Sequence, residues 1–245
     1  MSDTKVTAAA LAIGDELLSG RTRDKNISHL AHTLTSIGVT LQEVRIVQDE
    51  EDEIVAALNA LRQKYDYVFT SGGIGPTHDD ITAEAISKAF DLPCIYEDKA
   101  MQLLSAHYAS KDLEFTDARK RMARMPQGAT HIDNPVSKAP GFNIGNVYVM
   151  AGVPKVFEAM LSNVVPTLKT GQKLISKSIA CQHGEGVIGT LLSNIQKENP
   201  HVSIGSYPIF GDDGSFSTEL IIRGIDPVAL EKAAQDVETM LTDLG

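Results

Sequence analysis

In SGGIGPTHDDITAEA, residues 71–85, three glycines and two adjacent aspartates lie between a strand predicted over residues 67–70 and a helix predicted over residues 81–90. Glycines at such a junction let backbone N–H groups approach phosphate oxygens, because no Cβ stands in the way. The N-terminus of the following helix adds a partial positive charge. The segment therefore predicts an α/β domain that binds a nucleotide. The loop residues expected to bind it are Ser71, Gly72, Gly73 and Gly75.

The sequence before and after this loop alternates between strand and helix patterns. Continuous apolar runs predict buried strands over residues 6–13, 39–47, 67–70 and 147–151, and amphipathic segments between them predict helices. This alternation indicates a three-layer α/β domain, in which helices cover both faces of a parallel sheet. A ligand is expected at the carboxyl ends of the strands.

A polar, glycine-ended linker at residues 166–171 separates a smaller C-terminal unit. A strand at 174–180, a helix at 187–197, a strand pair at 202–208 and 215–223, and a terminal helix give the order βαββα. Gly211-Asp212-Asp213-Gly214 is a strong hairpin-turn signal. We expect two domains, 1–168 and 172–245, the second being a small α+β domain that resembles half of a ferredoxin-like or KH-like fold.

Acidic side chains follow three of the predicted strands. Glu16 and Asp49 each come just after a strand, and Asp79 and Asp80 follow the glycines. The aspartates either cap the next helix or share a divalent cation with a phosphate, which two bare carboxylates would repel. Thr82 and Glu84 lie in the first turn of that helix, where they either contact the nucleotide or only add polarity. The arrangement suggests a metal between Asp80 and a phosphate.

The bulk composition excludes several classes of protein. With 42% hydrophobic residues, 22% charged residues and a net charge of -10, the chain is expected to be globular and to bind neither nucleic acid nor a membrane. The basic cluster at residues 119–124 is interpreted as a solvated helix face. Two distant cysteines give no sign of a disulfide framework, and no signal peptide is evident, so the cytoplasm is the expected compartment.

Residues 71–86, SGGIGPTHDDITAEAI, resemble the signature of the MoaB/Mog superfamily, which includes molybdopterin adenylyltransferases, molybdenum-insertion proteins and the N-terminal domain of CinA. The likeness extends over IGDELLSGRTRDKN and AGVPKVFEAML and covers residues 6–165. Gly205-Ser206-Tyr207-Pro208 and its surroundings resemble CinA-type proteins and the N-terminal half of eukaryotic FAD synthase. Because the sequence ends at Gly245, neither the amidase activity of CinA nor FAD synthesis is expected.

The resemblance implies functions for individual residues. The superfamily's metal-dependent acids correspond to Asp49, Asp80 and Glu16, which are expected to be catalytic and to bind a divalent cation such as Mg, Mn or Co. Asn26 matches a ligand-contacting Asn, although it also suits a helix cap. Gly152 and Pro154 belong to a GVP turn that either walls the pocket or only turns the chain. Ser71 likewise either donates to a phosphate or only closes its turn.

Two functions compete. The resemblance implies metal-dependent hydrolysis of a nucleotide pyrophosphate of the ADP-ribose or FAD type. The alternative is a non-catalytic module that binds molybdopterin or a nucleotide; adenylyl transfer to molybdopterin is a third option, disfavoured by the CinA-like C-terminal unit. In each case the partner is a small nucleotide or pterin. By the same resemblance a homo-oligomer is expected.

Overall fold

The computed structural model describes residues 5–210 and 216–245. The chain divides into two compact units, Met1–Gly171 and Gln172–Gly245. Within the described residues, no helix combines the length and the apolar character needed to cross a membrane.

The strands of the N-terminal unit are β1 (Val6–Ile13), β2 (Val39–Val47), β3 (Tyr67–Ser71), β4 (Cys94–Tyr96), β5 (Arg124–Pro126), β6 (Thr130–Ile132), β7 (Gly141–Ile144) and β8 (Val147–Met150). Six of them form one sheet with the order β2-β1-β3-β8-β7-β6. Strands β2, β1, β3 and β8 run parallel, whereas β7 and β6 are antiparallel to their neighbours. A separate antiparallel ribbon joins β4 to β5.

Helices cover both faces of this sheet. They are α1 (Asp15–Leu18), α2 (Asn26–Ser36), α3 (Glu51–Arg62), α4 (Thr82–Ala89), α5 (Asp98–Ala109), α6 (Asp117–Lys120) and α7 (Pro154–Val164), with 3₁₀ turns at Arg121–Ala123 and Val165–Thr167. Successive side chains of β1 point to opposite faces, as the pleat of a strand requires. Leu11 belongs to the core cluster that includes α3 and α4, whereas Ala10 belongs to the cluster that includes α2 and α7. The predicted α/β fold class is therefore confirmed.

The sheet is mixed, and this corrects the expectation of a parallel sheet. Strands β6 and β7 were not predicted, because each has only three or four residues and neither forms a long apolar run. Gly145 and Asn146 join β7 to β8 as a two-residue hairpin turn, and Gly145 has a positive φ of 57°. This Gly-Asn pair is the sequence signal that would have predicted the antiparallel strand.

The C-terminal unit consists of β9 (Ile175–Cys181), α8 (Glu185–Glu198), β10 (Val202–Phe210), β11 (Phe216–Gly224) and α9 (Pro227–Leu244). Its antiparallel sheet has the order β10-β11-β9. The predicted βαββα order is confirmed, whereas the predicted turn at 211–214 lies outside the described residues. Side chains from all three strands and both helices form its core.

The central position of β1 makes its core side chains sensitive to truncation. Leu11 is fully buried, so we expect Leu11→Ala to lower the free energy of unfolding by about 2–5 kcal/mol. Val44 on the neighbouring β2 is 40% exposed, and Val44→Ala should cost less than about 1 kcal/mol. Thermal and urea denaturation followed by circular dichroism would measure both; equal losses would contradict the burial pattern.

Candidate functional site

A pocket of about 590 Å³ lies at the carboxyl ends of the parallel strands. Its walls come from the loops after β1, β2, β3 and β8, and from the segment that precedes β7. A cavity of this volume suits a nucleotide or a pterin. The expected site residues among its walls are Glu16, Asp49, Gly72, Gly73, Gly75, Asp80, Gly152 and Pro154.

Gly72 and Gly73 let the loop after β3 fold tightly against the end of β1. Gly72 has a φ of 112°, and a Cβ placed there would lie 2.2 Å from the carbonyl oxygen of Ile13. Gly73 has a φ of 68°, and its Cβ would lie 2.1 Å from Oγ1 of Thr82. Both positions therefore require glycine, first because of the backbone conformation and second because there is no space for a side chain.

The same loop exposes backbone donors. The Gly72 amide donates to the Met150 carbonyl at 3.1 Å, which fixes the start of the loop to β8. Among the described residues, no hydrogen bond takes up the amides of Gly73, Ile74 or Gly75. All three residues line the pocket. Unpaired N–H groups in a glycine-rich loop are suited to binding phosphate oxygens.

Carboxylates make the pocket strongly acidic. Glu16, Asp49, Asp79 and Asp80 line it, and none of its described lining residues is Lys or Arg. The Asp80 carboxylate accepts hydrogen bonds from the Thr77 amide at 2.7 Å and the Thr77 hydroxyl at 2.5 Å, and it lies over Gly75. The loop thus holds Asp80 in place through its own backbone.

The surroundings of Asp49 shift its pKa. Burial raises its pKa, and the negative charges of Asp15, Glu16 and Asp79 raise it further. A hydrogen bond from the Asp15 amide, 3.0 Å from Asp49 Oδ2, acts in the opposite direction. An acid with a raised pKa accepts a proton more readily than an ordinary aspartate does, which suits a general base.

The acids do not form a closed metal cage. In residues 5–210 and 216–245, no three His, Cys, Asp or Glu side chains are close enough together to enclose a metal ion. Mg²⁺ commonly takes only one or two protein carboxylates and fills its shell with water and substrate phosphates. The expected ligands Glu16, Asp49 and Asp80 all line the pocket, but they do not form a group of three around one point.

Asn26, expected to contact ligand or to cap α2, holds two loops together through its side chain. Its side-chain Nδ2 donates to the Ser71 hydroxyl and to the Gly152 carbonyl, both at 2.7 Å. Asn26 is buried and lies inside the helix, whose Ile27 amide donates to the Asp24 carboxylate at 2.8 Å. The capping alternative for Asn26 was therefore wrong, since Asp24 accepts at that end. Asn26 and Ser71 lie outside the lining of the large pocket.

Thr82 and Glu84 also lie behind the glycine loop. The fully buried Thr82 hydroxyl donates to the Gly72 carbonyl at 3.0 Å, so it supports the loop. Glu84 forms an ion pair with Arg124 and lies 3.8 Å from Arg121, which also donates to the Asp80 carbonyl at 3.1 Å. The interpretation of residues 119–124 as a solvated face was wrong for these two arginines, which bind Glu84 instead.

Several lining residues were not anticipated from the sequence. They are Thr22, Met122, Asn134, Ser137, Ala139 and Val156. Asn134-Pro135 and the positive φ of Lys138 belong to a compact turn before β7. The Asn-Pro pair is a turn signal, but its place at the pocket follows only from the antiparallel course of β7.

Comparison with known proteins identifies the fold family. Residues 9–170 match the family described as "Probable molybdopterin binding domain". The chain belongs to this molybdopterin-binding family. Residues 173–244 match the model of the FAD synthase middle domain. The resemblance stated from the sequence is thereby confirmed.

Individual members of the molybdopterin-binding family show how far the likeness reaches. A protein of Pyrobaculum calidifontis is 34% identical over 211 residues, which is 82% of this chain and 80% of that protein. A protein of Sulfurisphaera tokodaii is 37% identical over 163 residues, 64% of this chain and 62% of that protein. The crystal structure of the protein CinA of Thermoplasma acidophilum, described as having unknown function, is 34% identical. It has a TM-score of 0.62 and covers 68% of this chain and 99% of its own.

The contact between Gly72 and Ile13 predicts a large effect of a single methyl group. We expect Gly72→Ala to destabilise the N-terminal unit by about 1–3 kcal/mol, because its backbone is strained for alanine and the added Cβ meets a carbonyl. Gly189→Ala in α8 is the matched control, since an added Cβ there meets nothing within 4 Å and alanine favours the helix. In thermal melts Gly72→Ala should fall below the native protein and Gly189→Ala should not; an unchanged Gly72→Ala melt would contradict the tight loop.

The raised pKa of Asp49 predicts a pH-dependent effect on stability. The folded protein holds the Asp49 proton more tightly than the unfolded chain, whose reference pKa is 3.8. The contribution of Asp49 to stability is therefore complete below that pKa and is lost as the pH rises through the higher folded value. Asp49→Asn should melt above the native protein at pH 7, and the difference should shrink toward pH 4.

Asp52→Asn provides a control of opposite sign. A hydrogen bond and charge from Lys88 lower the pKa of Asp52, so its contribution is present at neutral pH and is lost as the pH falls. This variant should melt no higher than the native protein at pH 7. If both variants changed the melting temperature in the same direction, Asp49 would not lie in the acidic surroundings described.

Proposed function

We propose that the pocket binds a nucleotide pyrophosphate of the ADP-ribose or FAD type and hydrolyses its phosphoanhydride with the help of a divalent cation. The observation that carries this proposal is that glycine-loop amides without a partner and four carboxylates line one pocket, which has no Lys or Arg among its described lining residues. The amides attract phosphate oxygens, whereas the carboxylates repel them. A ligand with a diphosphate and a bound cation satisfies both groups.

The residues of the pocket have different roles in this reaction. The amides of Gly73, Ile74 and Gly75 orient the diphosphate and stabilise the charge that develops on it. Glu16 and Asp80 would hold the cation, which would neutralise the diphosphate and lower the pKa of a bound water. Asp49 orients the attacking water and accepts its proton. The water oxygen joins one phosphorus, the bridging P–O bond breaks, and the second phosphate leaves with the bridging oxygen.

In this proposal Asn26 and Thr82 are positioning residues. Asn26 joins the loops after β3 and β8, and Thr82 fixes the carbonyl of Gly72. Rigid loops keep the amides aimed at one point without reorganisation during the reaction. The chemistry needs no covalent nucleophile, since water attacks directly.

A screen of substrates and metals tests the proposal. ADP-ribose, FAD, NAD and dinucleoside polyphosphates would each be incubated with Mg²⁺, Mn²⁺ or Co²⁺ and analysed by chromatography for mononucleotide products. We expect turnover that EDTA abolishes and that Asp80→Asn or Asp49→Asn lowers by about 10²–10⁴-fold. Asp52→Asn is the matched acid outside the pocket and should retain native turnover.

A second candidate follows from the family match alone: a module that binds molybdopterin or a nucleotide without reacting with it. Calorimetry separates the two. Tight binding with no product for any substrate and metal would favour the binding module. Metal-dependent turnover no greater than that of Asp80→Asn would refute hydrolysis.

A further inference from the structure

The order of the strands gives the pocket two different ends. Asp49 follows β2 and Glu16 follows β1, while the glycine loop follows the next strand, β3. Val153 follows β8, and residues 134–139 precede β7, which runs antiparallel and so begins at the same edge. Neighbouring strands lie about 4.8 Å apart, so four steps from β2 to β7 span on the order of 15–20 Å. A diphosphate alone does not fill that length.

The far end is a loop built around one buried side chain. Asn134 Nδ2 donates to the Ser137 hydroxyl at 2.6 Å and to the Ala139 carbonyl at 2.8 Å. Its Oδ1 accepts from the amides of Val136 and Ser137 at 3.0 and 3.2 Å. Asn134 is only 2% exposed, and every polar atom of its side chain is used. The loop is therefore preorganised before any ligand arrives.

Ser137 lines the pocket and has a hydroxyl proton that a ligand can accept. Its oxygen accepts the Asn134 bond, and among the described residues no acceptor takes its own hydrogen. The lining of the same pocket also includes the apolar side chains of Met122, Ala139 and Val153, of which Val153 is 61% exposed. An apolar wall with one oriented polar group is the usual surrounding of a heteroaromatic ring.

We propose that Ser137 is a specificity-determining residue that donates a hydrogen bond to a ring heteroatom of the ligand, while the apolar wall covers the ring. This inference rests on the proposed function, in which the diphosphate lies at the glycine loop. The ligand class is a diphosphate carrying a purine or pterin ring. Asn134 is a positioning residue that holds Ser137 at the wall.

Binding of ligands with and without a ring tests this assignment. The dissociation constants of ADP, GDP and inorganic pyrophosphate would be measured by calorimetry with Mg²⁺. GDP is included because guanine shares its 2-amino-4-oxopyrimidine edge with pterins. For Ser137→Ala we expect affinity for ADP or GDP to fall about three- to tenfold, with pyrophosphate affinity unchanged. Ser137→Thr, which keeps the hydroxyl, should restore the native values. Ser162→Ala, on α7 outside the pocket, is the control.

Each other outcome overturns the assignment. If Ser137→Ala binds ADP and GDP as the native protein does, Ser137 does not contact the ring, although the diphosphate site stands. If all three affinities fall together, Ser137 only shapes the loop. If the native protein binds none of the three, the diphosphate site itself is refuted and the ring subsite with it.

Discussion

The close approach of Gly72 to the Ile13 carbonyl is the constraint on which the site depends. It brings the end of β3 against the end of β1, and only glycine fits there. The Gly72 amide binds β8 and its carbonyl accepts from Thr82, so one residue links two strands and a helix. These strand ends therefore meet at one edge of the sheet, where the loop residues Gly73, Ile74 and Gly75, whose amides have no partner among the described residues, line the pocket.

Behind the loop, a second set of polar contacts joins the segments that carry the pocket walls. The buried Asn26 side chain joins Ser71 to Gly152, while Arg121 connects the Asp80 backbone to Glu84 on α4. Burying a polar group without a partner is costly, so the hydrogen bonds that these side chains do make favour one arrangement of the loops. Asn26 and Glu84, which are expected from the sequence to contact the ligand, thus take part in holding the loops.

The carboxylates give the pocket a negative charge. Four carboxylates share one cavity, and burial together with the neighbouring acids raises the pKa of Asp49. Such crowding of negative charge costs stability. Membership of the molybdopterin-binding family agrees with a small anionic ligand at the carboxyl edge of the sheet. The proposed diphosphate site, with loop amides as donors and a cation beside the carboxylates, is compatible with a net charge of -10.

The amino-acid sequence determined the strand and helix alternation, the glycine loop and the acids that follow β1, β2 and β3, because periodicity and glycine placement are local properties. It did not determine the antiparallel strands β6 and β7, whose few residues carry too little pattern. It also did not separate Glu84, which pairs with arginines, from Asp80, which lines the pocket, or reveal Ser137 at the wall. Those distinctions depend on which distant segments meet across the sheet, and only the tertiary structure decides that.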